Sequence, residues 1–201
     1  MSKKVLGNTD RGLLFVVSAP AGTGKSTMVD MLIKEFPDGV VESCSSTTRR
    51  PRPGEVPKHH YLYLSIAEFE EKIAKDEFLE HVKLFGNYYG TRREEIDSLQ
   101  ASGKHVVLVI DTQGALQLKE KLPEAIFIFI SPPSVEELRN RLFKRRTEDE
   151  EMIEERLDWS KNEIALARHY DYQITNDNLE ISYQVLRSIL IAEEHKNRGT
   201  I

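Results

Sequence analysis

The sequence predicts a doubly wound α/β fold, a parallel sheet with helices on both faces. Three observations carry this expectation. The apolar runs 13–17, 105–110 and 125–130 are nearly continuous, as in strands buried on both sides, rather than alternating. Stretches with helical periodicity and capping signals lie between them. A glycine-rich turn, Ala19-Pro20-Ala21-Gly22-Thr23-Gly24-Lys25-Ser26-Thr27, joins the first run to the first helical stretch.

Taken in order, strand 13–17 leads through that turn into a helix over 28–36, which Pro37-Asp38-Gly39 ends. Residues 40–43 read as a short strand. Ser65 opens a helix, with Glu68 completing a capping box and Ile66, Phe69 and Ile73 as its apolar stripe. Residues 78–89 read as strand and turn, the turn at Gly86-Asn87. Thr91 and Glu94 make a second capping box for a helix that Gly103 closes. The strand 105–110 ends in Asp111, and 125–130 repeats its pattern. Ser134 and Glu137 cap a helix running into Lys144-Arg145-Arg146. A long helix over 148–168, a strand over 170–175 and a helix from 179 to about 195 complete the chain. Ligands of such sheets bind at the carboxyl ends of the strands. That edge should collect the glycine-rich turn, Asp111, Ser131 and Asn176. Residues 44–92 break the alternation with tight turns, four tyrosines and a basic cluster, and read as an inserted subdomain folding over the active edge.

Composition sets the outer limits. At 201 residues, 39% apolar and 30% charged, the chain suits one sizeable core. A net charge of −5 argues against a general nucleic-acid binder. The single cysteine, Cys44, excludes an internal disulfide and reads as a small half-buried residue of a protein in a reducing compartment. No apolar stretch approaches membrane-span length, and the run 13–17 is too short for a signal peptide. The expected location is the cytoplasm.

The glycine-rich turn has the composition of a phosphate-binding loop. Small residues let backbone N–H groups close around phosphate oxygens, and the following helix adds its positive end. Lys25 can reach the β- and γ-phosphates and the Ser26 hydroxyl can ligate Mg²⁺. Ala19 stands where the first glycine is usual, and a positive φ there would mark strain. Two basic clusters suggest further anion sites. The run Thr47-Thr48-Arg49-Arg50-Pro51-Arg52-Pro53-Gly54-Glu55 reads either as solvated charge or as a turn converging Arg49 and Arg52 on one anion, which arginine binds bidentately. Arg141 and Arg145 share a helical face, with Arg139, Lys144, Arg146 and Arg156 nearby, and such crowding favours an anionic ligand. Two basic clusters and a phosphate loop suggest direct phosphoryl transfer between two phosphorylated substrates, with Mg²⁺, positioning and exclusion of water. These residues alone do not name the acceptor.

The chain resembles the guanylate kinase family from about residue 13 to 195. The segments SCSSTTRRPRPGE (43–55), Glu80, GNYYGT (86–91), IDTQG (110–114), Pro132-Pro133-Ser134 and Asn176-Asp177 fall in family order. The resemblance implies a P-loop NTPase-type core over 1–43 and 93–201, with a lid at about 138–156, and a GMP-binding subdomain over 44–92. It implies transfer of the γ-phosphoryl group of MgATP to GMP, with ATP and GMP as the small-molecule partners. Arg49, Arg52, Tyr61 and Tyr89 would hold the GMP phosphate, and Ser45, Glu80, Thr91 and Asp111 would read the guanine. Ala21, Gly22, Thr23, Gly24, Lys25, Ser26 and Thr27 would hold the ATP phosphates, Asn176 would meet the adenine, and Lys25, Arg141, Arg145 and Arg156 would neutralise the transferring group. A guanylate-kinase-like binding module is the main rival, and its phosphate loop tends to be degraded, unlike this one; a kinase of another small phosphate ester is the nearest alternative among enzymes. The sequence departs from the family at Val109, where an aspartate is usual. It departs again at Lys144 and Arg146, which replace the glycines flanking Arg145, and at His59 and His60, which read as exposed turn residues.

Overall fold

A computed structural model describes residues 4–52, 54–57, 60–145 and 150–198, the side chains of 145 and 150–152 excepted. Five parallel strands form the main sheet: β1 (Leu14–Ser18), β2 (Val40–Glu42), β7 (His105–Val109), β8 (Ile126–Ser131) and β9 (Tyr172–Thr175), in the order β2-β7-β1-β8-β9. The strand before the phosphate loop therefore lies at the centre. Its residues divide by parity, as a strand buried on both faces requires. Phe15 and Val17 pack with Met28, Val29, Leu32, Leu186 and Leu190, whereas Leu14 and Val16 pack with Ile96, Ala115 and Leu118. Helices α1 (Lys25–Glu35) and α7 (Leu179–Glu194) thus cover one face, and α3 (Arg93–Ala101) and α4 (Thr112–Lys121) the other. All six residues of β8 are buried, and each fully buried aliphatic or aromatic side chain contributes about 1.5–3 kcal/mol relative to exposure. The expected doubly wound sheet is present.

A second sheet of four strands stands apart from the first. It comprises β3 (Ser46–Thr47), β4 (Leu62–Tyr63), β5 (Phe78–Leu84) and β6 (Asn87–Arg92), ordered β4-β3-β6-β5, with only β3 and β4 parallel. Helix α2 (Ile66–Ala74) lies against it through Phe69, which stacks on Phe78 at 4.4 Å and on Tyr88 at 5.1 Å. The helices α5 (Val135–Arg145) and α6 (Glu150–Leu166) pack through Leu138, Leu142, Ile153 and Leu157. Among the described residues no helix is long and apolar enough to cross a membrane.

Several local expectations are corrected. Helix α1 begins at Lys25, not Met28, because Gly24 caps it in the left-handed region at φ 94°. The β5–β6 turn lies at Phe85-Gly86, both with positive φ, and Asn87 already pairs with Leu84. The Ser65–Glu68 capping box forms, but Ile66 is 57% exposed and only Phe69 of the expected stripe is fully buried. Thr91 does not cap α3. Arg92 holds the N-cap position without a side-chain cap, because the Thr91 hydroxyl is engaged across the hairpin. Gly103, at φ 79°, follows the end of α3 as expected. The Ser134 hydroxyl accepts from the Glu137 N–H at 3.0 Å, so the expected cap of α5 is made. The last strand starts at Tyr172, after a short 3₁₀ turn, Ala167–His169. Ala19 is buried and not among the residues with positive φ, so no strain accompanies the missing glycine.

Candidate active site

The carboxyl ends of β1, β7 and β9 meet at one edge. From β1 the chain turns through the glycine-rich loop into α1. After β7 comes Asp111, which N-caps α4 by accepting from the N–H groups of Gln113 at 2.8 Å and Gly114 at 3.2 Å. After β9 comes Asn176, 4% exposed, whose Nδ2 donates to the Thr23 carbonyl at 2.7 Å. A Cβ on Gly24 would lie 2.7 Å from that same Nδ2, so both the positive φ and the close approach require glycine there. The Thr23 hydroxyl donates to the Pro20 carbonyl at 2.8 Å, which turns it into the loop's interior. The loop is therefore shaped by its own bonds and by a strand end far away in sequence.

A cavity of about 460 Å³ opens between this edge and the second sheet. It is lined by Ala21, Lys25 and Ser26 from the loop side, by Asp111, and by Arg156 and Glu163 from α6. Ser45, Arg49, Arg52, Tyr61, Glu80 and Tyr89 line it from the second sheet. Most of the residues expected at the site are thus brought together around one space. Thr91 stands behind Glu80. Arg141 donates through Nε to Glu137 at 2.9 Å and through Nη1 to the Asn176 carbonyl at 3.1 Å, joining α5 to the loop's anchor. Gly22, at φ 89°, faces Leu138 and Leu142 of α5. Thr27 is exposed on the first turn of α1. The Arg145 side chain, Arg146 and His59 lie outside the described residues. His60 is exposed in a turn, its Nδ1 accepting from the Val56 N–H at 3.0 Å.

The second-sheet side of the cavity has two ends with opposite electrostatics. At one, Glu55 is a hub. It accepts from Arg49 Nη2 at 2.8 Å, from the Arg52 N–H at 2.7 Å and from the Tyr63 hydroxyl at 2.7 Å. Burial works against its charge, but these donors hold its carboxyl at about 2. Arg49 is further fixed 5.4 Å over the Tyr61 ring, which meets Tyr89 edge-on at 6.2 Å. At the other end Glu80 is 2% exposed and accepts from the Thr91 hydroxyl at 2.5 Å, its register partner on β6. Burial and the neighbouring Asp111 push its carboxyl up to about 7, against the pull of Thr91. A Cβ on Gly114 would meet Glu80 Oε2 at 2.6 Å, so the carboxylate lies directly on the start of α4.

On the loop side Lys25 is held low by burial, with Glu163, Asp111 and Glu42 attracting its charge. Glu163, 6% exposed, is pushed up to about 7 by burial, with Lys25 opposing. Sequence reasoning assigns no role to Glu55, Glu163 or Trp159. The signals are nonetheless present. Glu55 is the one acid closing an arginine-proline run, and Trp159 and Glu163 follow Arg156 by three and seven residues, on the same helical face.

A phosphate loop facing a separate sheet with paired arginines and a buried carboxylate defines a P-loop kinase of a small phosphorylated acceptor. Comparison with known proteins carries this further. The guanylate kinase family matches residues 11–193. The chain is 58% identical over 193 residues to the guanylate kinase of Protochlamydia amoebophila (strain UWE25), spanning 96% of this chain and 97% of that one. It is 52% identical to the guanylate kinase of Chlamydia abortus (strain DSM 27085 / S26/3), spanning 92% and 90%. The crystal structure of guanylate kinase from Anaplasma phagocytophilum matches with a TM-score of 0.75 at 31% identity, covering 96% and 91%. The chain belongs to the guanylate kinase family.

Proposed function

We propose that the cavity transfers the γ-phosphoryl group of ATP in line to the phosphate of GMP, giving ADP and GDP, with the donor at the glycine-rich loop and the acceptor on the second sheet. Family membership makes the chain an ATP:GMP phosphotransferase and does not favour a binding module or a kinase of another phosphate ester. The observation that carries the assignment of roles is the facing of Lys25 and Arg156 by Arg49, Arg52 and Glu80 across one cavity. In this reading residues 44–92 are the acceptor subdomain, 1–43 and 93–201 the core, and about 138–156 the lid.

Backbone N–H groups of Ala21 to Thr27 cradle the donor phosphates, and Asn176, which braces their loop through the Thr23 carbonyl, meets the adenine. Lys25, Arg141, Arg145 and Arg156 offset charge that develops on the transferring group. Arg49 and Arg52, with Tyr61 and Tyr89, take the GMP phosphate. Glu80, with Ser45, Thr91 and Asp111, reads the base. Guanine offers N–H donors at N1 and N2, and Glu80 can accept from both. Adenine presents an acceptor at N1 and no amino group at N2, so Glu80 would be left without donors, which a site built for hydrogen bonds rejects strongly.

Among the described residues no group of three or more His, Cys, Asp or Glu side chains is arranged to hold a metal. Mg²⁺ carried in on a nucleotide keeps most of its waters and takes only one or two protein oxygens. Ser26 would supply one such oxygen, with Asp111 acting through water. When bound, the ion would offset negative charge on the donor phosphates.

A coupled assay with ATP and a panel of nucleoside monophosphates tests the reading. ADP should appear with GMP and dGMP and not above background with AMP. Glu80→Gln should lower kcat/KM for GMP about 10- to 100-fold while KM for ATP holds. Equal loss for both substrates would show that Glu80 does not read the base. Guanine donors favour the charged carboxylate, so GMP binding should strengthen as pH rises through about 7, and Glu80→Gln should weaken that dependence, leaving only what the second ionisation of the phosphate itself contributes.

A further inference from the structure

Phe85 sits at the tip of the β5–β6 hairpin, 56% exposed, in the left-handed region at φ 47°. Leu84 and Asn87 pair on either side, so Phe85 and Gly86 form a two-residue loop with both φ positive. Such loops take Asn-Gly or Asp-Gly, and a bulky aromatic at the first position is a backbone outlier. Outliers of this kind persist where function holds them. The Phe85 ring meets Trp159 edge-on, with centroids 6.1 Å apart and planes at 62°. Trp159 is the only tryptophan in the sequence. It lies on α6 between Arg156 and Glu163, at spacings of three and four that put all three on one helical face, and all three line the cavity with Phe85. One partner thus belongs to the sheet that carries Glu80 and Tyr89, the other to the helix that carries Arg156.

We propose that Phe85 and Trp159 are a positioning pair for phosphoryl transfer. Their contact sets the separation between the β5–β6 hairpin and α6, so that Arg156 meets the transferring group beside an acceptor seated on the second sheet. Neither ring touches the reacting atoms; each acts through the element it anchors. The proposal rests on the proposed function, which places the acceptor on the second sheet and Arg156 at the transferring group.

Phe85→Asn tests it without endangering the fold. Asparagine suits the left-handed turn better than phenylalanine, so the thermal midpoint should hold or rise. Without the ring, kcat with GMP should fall about three- to tenfold, KM for ATP should stay unchanged, and Trp159 emission should shift to the red. Phe85→Tyr should recover most of the activity. Trp159→Ala should lower kcat similarly in the wild-type background and add little to Phe85→Asn. Wild-type kcat in Phe85→Asn, or a full additional loss from Trp159→Ala in that background, would overturn the pair. Its failure is distinguishable from failure of the site reading. If Glu80→Gln impairs GMP use selectively while Phe85→Asn is silent, only the pair falls; if Glu80→Gln is also silent, the site reading falls.

Discussion

The two sheets of this molecule are held together by different forces. The five-stranded sheet is an apolar platform: β1 and β8 are buried along their whole length, and helices cover both faces. In the four-stranded sheet β4 is half-buried and β6 buries only Gly90 and Thr91, although β3 is buried and β5 buries four of its seven residues. The order of this sheet comes from the aromatic stack of Phe69, Phe78 and Tyr88 and from polar bonds. The Thr47 hydroxyl donates to the Tyr88 carbonyl, and the Thr48 hydroxyl accepts from the Tyr88 N–H. Glu55 gathers donors from Arg49, Arg52 and Tyr63, and Glu80 takes one from the Thr91 hydroxyl. Apolar packing gives the glycine-rich loop a stiff base. Polar packing gives the second sheet oriented, charged groups whose alignment depends on their protonation.

The contrast can be attacked first at its weakest point, a polar knot inside the apolar half. His105 is fully buried. Its Nδ1 accepts from the Leu13 N–H at 2.9 Å, so its Nε2 carries the proton and donates to Glu194 at 2.6 Å. Glu194 also accepts from the N–H groups of Gly7 and Asn8, tying the first described residues to the end of α7. Glu194→Ala should cost about 3 kcal/mol in chemical denaturation, because the His105 Nε2–H and the N–H groups of Gly7 and Asn8 lose a charged acceptor. A loss below about 1 kcal/mol would mean that the platform rests on apolar packing alone.

Lys25→Ala separates platform from chemistry. It should lower kcat about 10²-fold or more, while stability holds or rises, since burial already disfavours the ammonium. Parallel activity and unfolding measurements check both halves of that statement. On the acceptor side, Gly114→Ala should act through Glu80. The new Cβ would press on the carboxylate, whose end can swing, so the effect is loss of the Thr91 alignment rather than unfolding. KM for GMP should rise about tenfold, equivalent to one charge-assisted hydrogen bond, with KM for ATP unaltered.

The smallest expected effect concerns acid. Glu55 is held charged to about 2, well below its unfolded value of 4.5. Its contribution is therefore present above about 4.5 and lost as pH falls toward 2. Glu55→Gln should flatten that limb of the stability curve by about 1 kcal/mol, after allowance for solvent screening. An unchanged acid limb would show that the arginine end of the second sheet is ordered by the tyrosines alone.

Much of the platform is legible in the sequence because its causes are local. Continuous apolar runs, Gly24-Lys25-Ser26 after a strand and the Ser65–Glu68 box each announce a structure within a few residues. The acceptor side is legible mainly through resemblance, because its geometry is made by pairing at a distance. Thr91 has the spacing of a helix cap, yet its hydroxyl goes to Glu80, eleven positions earlier on the opposing strand. Phe85 carries no turn signal, so the sequence places the loop one residue too late, and only the register of β5 on β6 reveals it. Glu163 looks like any helical acid until α6 is laid along the cavity.

The bond from Asn176 to the Thr23 carbonyl joins residues 153 positions apart. On the ribosome, the nucleotide loop emerges among the first thirty residues, yet both strands flanking β1 and the amide that braces the loop follow much later. Synthesis proceeds from the N-terminus at about 5–20 residues per second. For several seconds the loop is therefore exposed without the strands and the clamp that give it shape. The earliest motif to be translated is among the last to be completed, and a nascent chain stalled before residue 176 should not yet hold nucleotide.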